Sequence, residues 1–186
     1  MLSLIEDNTE CGYRIYRSDV ILKHQQEMLR DLSAAHKLLI KTYGSVSKDS
    51  TWLYKTYNIF SLVGPRSYFT DLYKDLLDAI KITAPTDEYL WFQSWLNVHR
   101  QDQVLKWHNH SWYIHGYISV DPKRTKTVFD NYEIENDIGN IYIGPGNRRH
   151  KVQVVEPYDG HRITIGFDVT NTAFGPSDSM SLIPVI

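Results

Sequence analysis

Two histidines two positions apart, His108 and His110, lie in the run Trp107-His108-Asn109-His110-Ser111. On an extended segment side chains alternate between faces, so both imidazoles project to the same side. His150 comes 42 residues after His108, behind the turn Gly144-Pro145-Gly146-Asn147, and Arg162 comes 12 residues later. Imidazole nitrogen suits iron, zinc, copper and nickel, and three protein ligands leave positions at the metal open for chemistry. His108, His110 and His150 therefore read as a mononuclear metal site. Arg162 opens the run RITIGFDV, in which Ile163, Ile165 and Phe167 take one face of a strand and Arg162, Thr164 and Gly166 the other. On that second face a guanidinium fork and a hydroxyl can grip a carboxylate, with Gly166 leaving room beside them.

These side chains need a framework. Cys11 to Arg17 alternates as a short strand, and Ser18 or Asp19 can cap the helix that follows. Between Val20 and Tyr43 the apolar residues Ile21, Met28, Leu29, Leu32, Ala35 and Leu39 recur at helical spacing, and Gly44 ends the helix. Thr51 to Val63 reads as a strand or hairpin. Phe69, Leu72, Tyr73, Leu76, Leu77 and Ile80 mark a second amphipathic helix, closed by Ala84-Pro85. From there the period changes to that of strands. They are expected over 89–100, 110–120, 126–132, 140–143, 151–155 and 162–169, separated by turn clusters such as Asn136-Asp137-Ile138-Gly139 and Tyr158-Asp159-Gly160. In this order the strand Gly139 to Pro145, the tight turn and His150 can return the distal histidine opposite His108 across a barrel. The last residues, after Gly175-Pro176, can add an edge strand.

Composition bounds the function. A chain of 186 residues with 42% hydrophobic and 23% charged residues suits one domain, spanning 1–186, with a sizeable core. Its parts are a helical support over 18–84, a β core over about 89–169 and a tail over 170–186. The formal charge of −2 gives no global electrostatic case for nucleic acid or for an anionic membrane. A lone Cys11 fits a reducing compartment, and MLSLIED carries no signal-peptide pattern, so the expectation is a cytoplasmic protein. No glycine-rich phosphate loop, serine nucleophile elbow or cysteine metal motif is present. Two helices followed by many short strands point to a mainly β protein, a sandwich or barrel backed by helices.

A family likeness rests on these same residues. Trp95-Leu96-Asn97-Val98, the Trp107 to Ser111 run and His115-Gly116-Tyr117-Ile118-Ser119-Val120 resemble the first half of an Fe(II)/2-oxoglutarate-dependent oxygenase of the double-stranded β-helix (jelly-roll, cupin-like) type. Gly139 to His150 resembles its strand-proline-histidine segment, and Arg162 to Phe167 its arginine-bearing strand. The likeness spans roughly residues 89 to 169. It is similar in particular to oxygenases of marine bacteria and phages that carry an HNH run at this place. It implies His108 and His150 as iron ligands, and Arg162 with Thr164 holding the far carboxylate of the cosubstrate 2-oxoglutarate. It also implies polar contacts from Asn97 and Tyr117, and O2 as a further substrate, with no catalytic residue beyond the metal ligands. One position departs from it. Where most such oxygenases place a carboxylate two residues after the first histidine, this chain has His110. The third ligand is therefore open between His110 and His115, which falls where general cupins often carry a further ligand.

The leading expectation is a dioxygenase that hydroxylates a small molecule or a protein or peptide side chain. The alternatives are a three-histidine cupin metalloenzyme that does not use 2-oxoglutarate, and a non-catalytic cupin-fold binding protein. His24 and His36 read as structural or exposed, and His99 and His161 as solvent contacts beside strands. One of Trp107 and Trp112 is expected to line the pocket. Arg148 and Arg149 read as a short solvated basic cluster that, beside the proposed site, could meet an acidic substrate. The helical layer and aromatic surface suit a homodimer.

Overall fold

Alternation along the central strands divides their side chains between two environments, one apolar and one polar. The computed structural model describes residues 2–44, 56–103, 105–171 and 181–185. Its larger sheet has seven strands in the order β1-β2-β7-β4-β9-β3-β10, and its smaller sheet three in the order β6-β5-β8. Their ranges are β1 Leu2–Asn8, β2 Tyr13–Ser18, β3 Leu90–His99, β4 Ile114–Asp121, β5 Thr125–Phe129, β6 Glu133–Glu135, β7 Asn140–Pro145, β8 His150–Val154, β9 Arg162–Thr170 and β10 Ile183–Val185. All the strand pairings are antiparallel. The chain crosses repeatedly between the two sheets, as in a mainly β, double-stranded β-helix of the cupin-like kind, although the barrel is not fully closed. The outer strand β10 lies in the tail, against β3.

Helices cover one face of the larger sheet. α1 (Asp19–Tyr43) starts where the Ser18 hydroxyl accepts from the Ile21 amide, satisfying one of the unpaired first-turn donors, and ends at Gly44 with φ 85°. It buries Ile21, Met28, Leu32, Ala35 and Leu39, the predicted stripe apart from Leu29, which is half-buried against the same core. α3 (Ser67–Thr83) buries Phe69, Leu72, Leu76, Ala79 and Ile80. Both stripes pack on Ile118, Val120, Ile141, Ile143, Ile165, Phe167 and Val169, the outward residues of β4, β7 and β9. Among the described residues no helix is long and apolar enough to cross a membrane.

Three expectations change here. The strand or hairpin expected over 51–63 falls partly outside the described residues, and where it is described it forms the short helix α2 (Ile59–Val63) instead. Asn58 decides this: its side-chain oxygen accepts from the Phe60 amide and its amide donates to the Phe92 carbonyl at 3.0 Å, which locks a helix start against β3. The strand expected from His110 begins only at Ile114. The first strand, β1, and the short β6 were not anticipated.

Candidate metal centre

The inner face of the larger sheet is built by register. On β9 the inward residues are Arg162, Thr164, Gly166 and Asp168, and β3 sets His99, Asn97, Trp95 and Gln93 directly opposite them. On the other side β4 sets Ser119, Tyr117 and His115 opposite Thr164, Gly166 and Asp168. The smaller sheet closes over this face with Thr127, Val152 and His150, and β5 and β8 pair Thr127 with Val152 and Phe129 with His150.

The segment holding His108 runs along the free edge of β8. His108 N–H donates to the His150 carbonyl at 2.9 Å, His150 N–H returns the bond at 2.8 Å, and Val152 N–H donates to the Leu105 carbonyl at 3.1 Å. His110 N–H donates to the Gly146 carbonyl at 2.9 Å, so the proline-glycine turn supports the second histidine. Backbone bonds therefore bring three imidazoles from two distant segments together. Ring centroids are 4.3 Å apart for His108 and His150, 5.3 Å for His108 and His110, and 5.5 Å for His110 and His150. One nitrogen from each ring lies within 4.8 Å of the others.

Hydrogen bonds settle which nitrogens face inward. His108 Nδ1 donates to the Lys106 carbonyl at 2.7 Å and His150 Nδ1 to the Arg148 carbonyl at 3.0 Å. A carbonyl only accepts, so Nδ1 carries the proton and a neutral ring keeps its lone pair on Nε2. Burial first, and the neighbouring imidazoles next, push the His150 pKa down to about 2. His108 is lowered too, mainly by burial. Both rings are neutral at physiological pH. His110 Nδ1 lies 3.1 Å from Asp168 Oδ2, and its Nε2 is buried without a hydrogen-bond partner. Together with the Nε2 lone pairs of His108 and His150, the His110 ring completes a group of three histidine nitrogens, the donor type a transition metal takes from histidine.

His115, on β4, stacks on His110 at 3.8 Å between centroids and 12° between planes, and its Nδ1 lies 2.9 Å from Asp168 Oδ1. Burial holds its pKa well below the usual histidine value. Trp95 lies nearly parallel to both rings, 5.7 Å from His110 and 6.2 Å from His115.

These groups enclose a single cavity of about 30 Å³, lined among others by Asn97, His108, His110, Tyr117, His150, Arg162 and Thr164. Arg162 is 3% exposed, and its Nε makes no hydrogen bond. Among the described residues no acidic side chain pairs with it. Burial lowers its pKa to about 10, so it remains a cation at neutral pH. A buried cation with no counter-ion carries a desolvation cost that an anionic ligand would offset. Thr164 accepts from Asn97 Nδ2 at 3.3 Å, and Asn97 Oδ1 is buried without a hydrogen-bond partner. Burial raises the Tyr117 pKa, so its hydroxyl keeps its proton.

The structure thus brings all seven expected side chains, His108, His110, His150, Arg162, Thr164, Asn97 and Tyr117, to one cavity. Other expectations are corrected. His99 is 7% exposed rather than at solvent, because it occupies the inward register beside Arg162; burial and that cation push its pKa down to about 4. Neither Trp107 nor Trp112 is among the cavity's lining residues; Trp95 is. Trp107 is bracketed by Arg149 and Lys151 at 5.4 and 5.1 Å, because residues next to His108 and His150 point to the opposite face. Arg148 instead reaches the Cys11 carbonyl at 3.4 Å. The residue that sequence reasoning missed is Asp168. Its signal was present: it continues the alternate positions of Arg162, Thr164 and Gly166 along RITIGFDV.

No protein-family profile matches the chain, and no curated protein matches it in sequence. Solved structures do. One similar structure is the non-heme alpha-ketoglutarate-dependent epimerase SnoN from nogalamycin biosynthesis, with 11% identity, a TM-score of 0.56, and 87% of this chain and 79% of that one covered. Another is the non-heme monooxygenase ThoJ in its nickel complex, with 10% identity, a TM-score of 0.55, and 88% of this chain and 72% of that one covered. At such identities the likeness speaks to the shared fold.

Proposed function

We propose that the chain is an Fe(II)- and 2-oxoglutarate-dependent oxygenase that hydroxylates a small molecule or a protein or peptide side chain. One observation supports this above the others: three imidazoles with nitrogens within 4.8 Å of one another and a buried guanidinium whose Nε has no hydrogen-bond partner line the same cavity. His108, His110 and His150 would hold the iron. Iron bound there supplies the activation of O2 coupled to oxidative decarboxylation of 2-oxoglutarate. Arg162 would bind the far carboxylate of the cosubstrate through its guanidinium fork, and Thr164 would add a hydroxyl contact. Asn97 and Tyr117 orient the same molecule, the first through its free carbonyl oxygen and the second as a hydroxyl donor. The apolar walls, Leu105, Val152 and Trp95, exclude bulk water and so strengthen each polar contact inside. Both non-heme neighbours, by their names, perform oxidative or alpha-ketoglutarate-dependent chemistry, which accords with this reading.

The test is a titration of 2-oxoglutarate into the anaerobic Fe(II) protein. A charge-transfer band in the visible is expected, with saturation in the micromolar range, and Arg162→Met should weaken the cosubstrate by about 10²-fold or more, in keeping with the loss of one buried charge partner. Absence of both band and affinity in the wild type overturns the 2-oxoglutarate reading. One observation favours a second reading, a three-histidine cupin metalloenzyme without 2-oxoglutarate. His110 stands where most 2-oxoglutarate-dependent oxygenases carry a carboxylate, so the cavity offers the three histidines His108, His110 and His150 and no carboxylate among the lining residues. That reading expects Fe(II) binding with no response to 2-oxoglutarate.

A further inference from the structure

The site lacks the carboxylate that its second histidine position ordinarily carries, yet a carboxylate stands directly behind that position. Asp168 is 2% exposed, and its two oxygens are divided between two imidazoles: Oδ2 lies 3.1 Å from His110 Nδ1, and Oδ1 lies 2.9 Å from His115 Nδ1. We infer that Asp168 is the positioning residue of this metal centre, replacing the missing ligand carboxylate with one placed behind the ring of His110, and that His115 is its brace rather than a ligand. This deepens the metal reading above and rests on it.

The geometry argues for the division of roles. A buried carboxylate with two oxygens aimed at two ring nitrogens fixes both rings in the Nδ1–H tautomer. His110 is thereby forced to present Nε2, its buried and otherwise unpartnered atom, toward His108 and His150. His115 stands outside the group of nitrogens that His108, His110 and His150 bring within 4.8 Å of one another, and its ring lies flat against His110 at 3.8 Å, so it limits rotation of His110. Strand register sets the arrangement, since Asp168 pairs with His115 across β4 and β9. A carboxylate bonded to Nδ1–H also raises the basicity of Nε2. The charge that a ligand carboxylate would bring is then delivered through an imidazole, and the centre as a whole has the same formal charge as a site of two histidines and one carboxylate. Asp168 touches no metal position itself in this account.

The experiment uses the full chain with Co(II) as the probe, and metal-free protein labelled with 15N at histidine. In wild-type protein, long-range 15N–1H spectra should show His110 as a neutral ring protonated at Nδ1. A His110 protonated at Nε2 overturns the inference, whether or not the protein binds metal. In Asp168→Asn, where one amide cannot accept from both rings, the His110 tautomer should become mixed. Co(II) affinity, measured by chelator competition, should fall by about 10- to 100-fold with a changed d–d spectrum. His115→Gln, which keeps an N–H donor for Asp168 Oδ1 but loses the ring stacked on His110, should weaken Co(II) binding measurably and by clearly less than His108→Ala does; a loss as large as that of His108→Ala makes His115 a ligand and overturns the assignment. Unchanged Co(II) affinity and spectrum in folded Asp168→Asn overturns it as well. If wild-type protein takes up no Co(II), the metal reading fails by itself, and the tautomer spectra still decide the role of Asp168. Should Asp168→Asn fail to fold, the wild-type spectra carry the same decision.

Discussion

Each of the three histidines is held at Nδ1 by a different group, and this carries a consequence for substitution. The Lys106 and Arg148 carbonyls hold His108 and His150, while Asp168 holds His110. Backbone acceptors cannot be removed by side-chain substitution, so His108 and His150 are the sturdier ligands and their own removal is the clean test. His108→Ala and His150→Ala are each expected to lower metal content by tenfold or more after mild purification, measured by elemental analysis, while His161→Ala, at the exposed end of β9, leaves it unchanged. Equal metal content in all four proteins would mean that no metal is held here. The i, i+2 spacing of His108 and His110 was readable in the sequence because alternation is a local rule. The anchors were not, since a carbonyl has no residue identity and Asp168 lies 58 residues from His110. His99 was misread for the same reason: a strand-end histidine looks exposed until its neighbour across the sheet, Arg162, is known.

At the scale of the element, β9 brings Arg162, Thr164 and Asp168 to the site, and Gly166 between them leaves room for Trp95. A Cβ at Gly166 would lie 2.5 Å from Trp95 Cε2, and Trp95 is nearly fully buried against the histidine rings. Gly166→Ala is therefore expected to destabilise the fold by about 1–3 kcal/mol, the usual cost of overpacking, and to shift the tryptophan emission. Urea unfolding followed by fluorescence checks both; an unchanged midpoint would show that Trp95 can move aside freely. Helices α1 and α3 could be read from their apolar spacing, and α1 also from Ser18 and Gly44, because those signals are local. Alternation likewise gave the inward set Arg162, Thr164 and Gly166 before any partner strand was known. The region around Asn58 could not be read this way. Its aromatic and β-branched neighbours favour a strand, but a cap and a bond to the Phe92 carbonyl make it helical. The short β6 and the edge contact of His108 with β8 depend on pairing partners, which single-sequence patterns do not contain.

Across the whole molecule the larger sheet separates two kinds of interior. Its helix-facing side is apolar and closed, whereas its other side gathers His99, His108, His115, His150 and Arg162 in a space where charge is costly. Such a chamber makes stability depend on pH. His99 is depressed to about 4 from an ordinary value of 6.5, by burial first and by Arg162 second. Between those values the unfolded chain binds a proton that the folded protein refuses, so stability rises with pH across the window. The contribution of His99 is fully present above about 6.5 and is lost as the pH falls toward 4; its size is on the order of a few kcal/mol. His108, His115 and His150 are depressed in the same direction and add to the slope. Urea unfolding of metal-free protein at steps from pH 7.5 to 4.5 should therefore show stability falling steadily through this range, well above the pH where ordinary carboxylates titrate. In His99→Gln the slope should be shallower by up to one proton. A stability flat from pH 7 to 5 in wild-type protein, or an unaltered slope in the variant, would mean that His99 titrates normally and that this end of the chamber admits water.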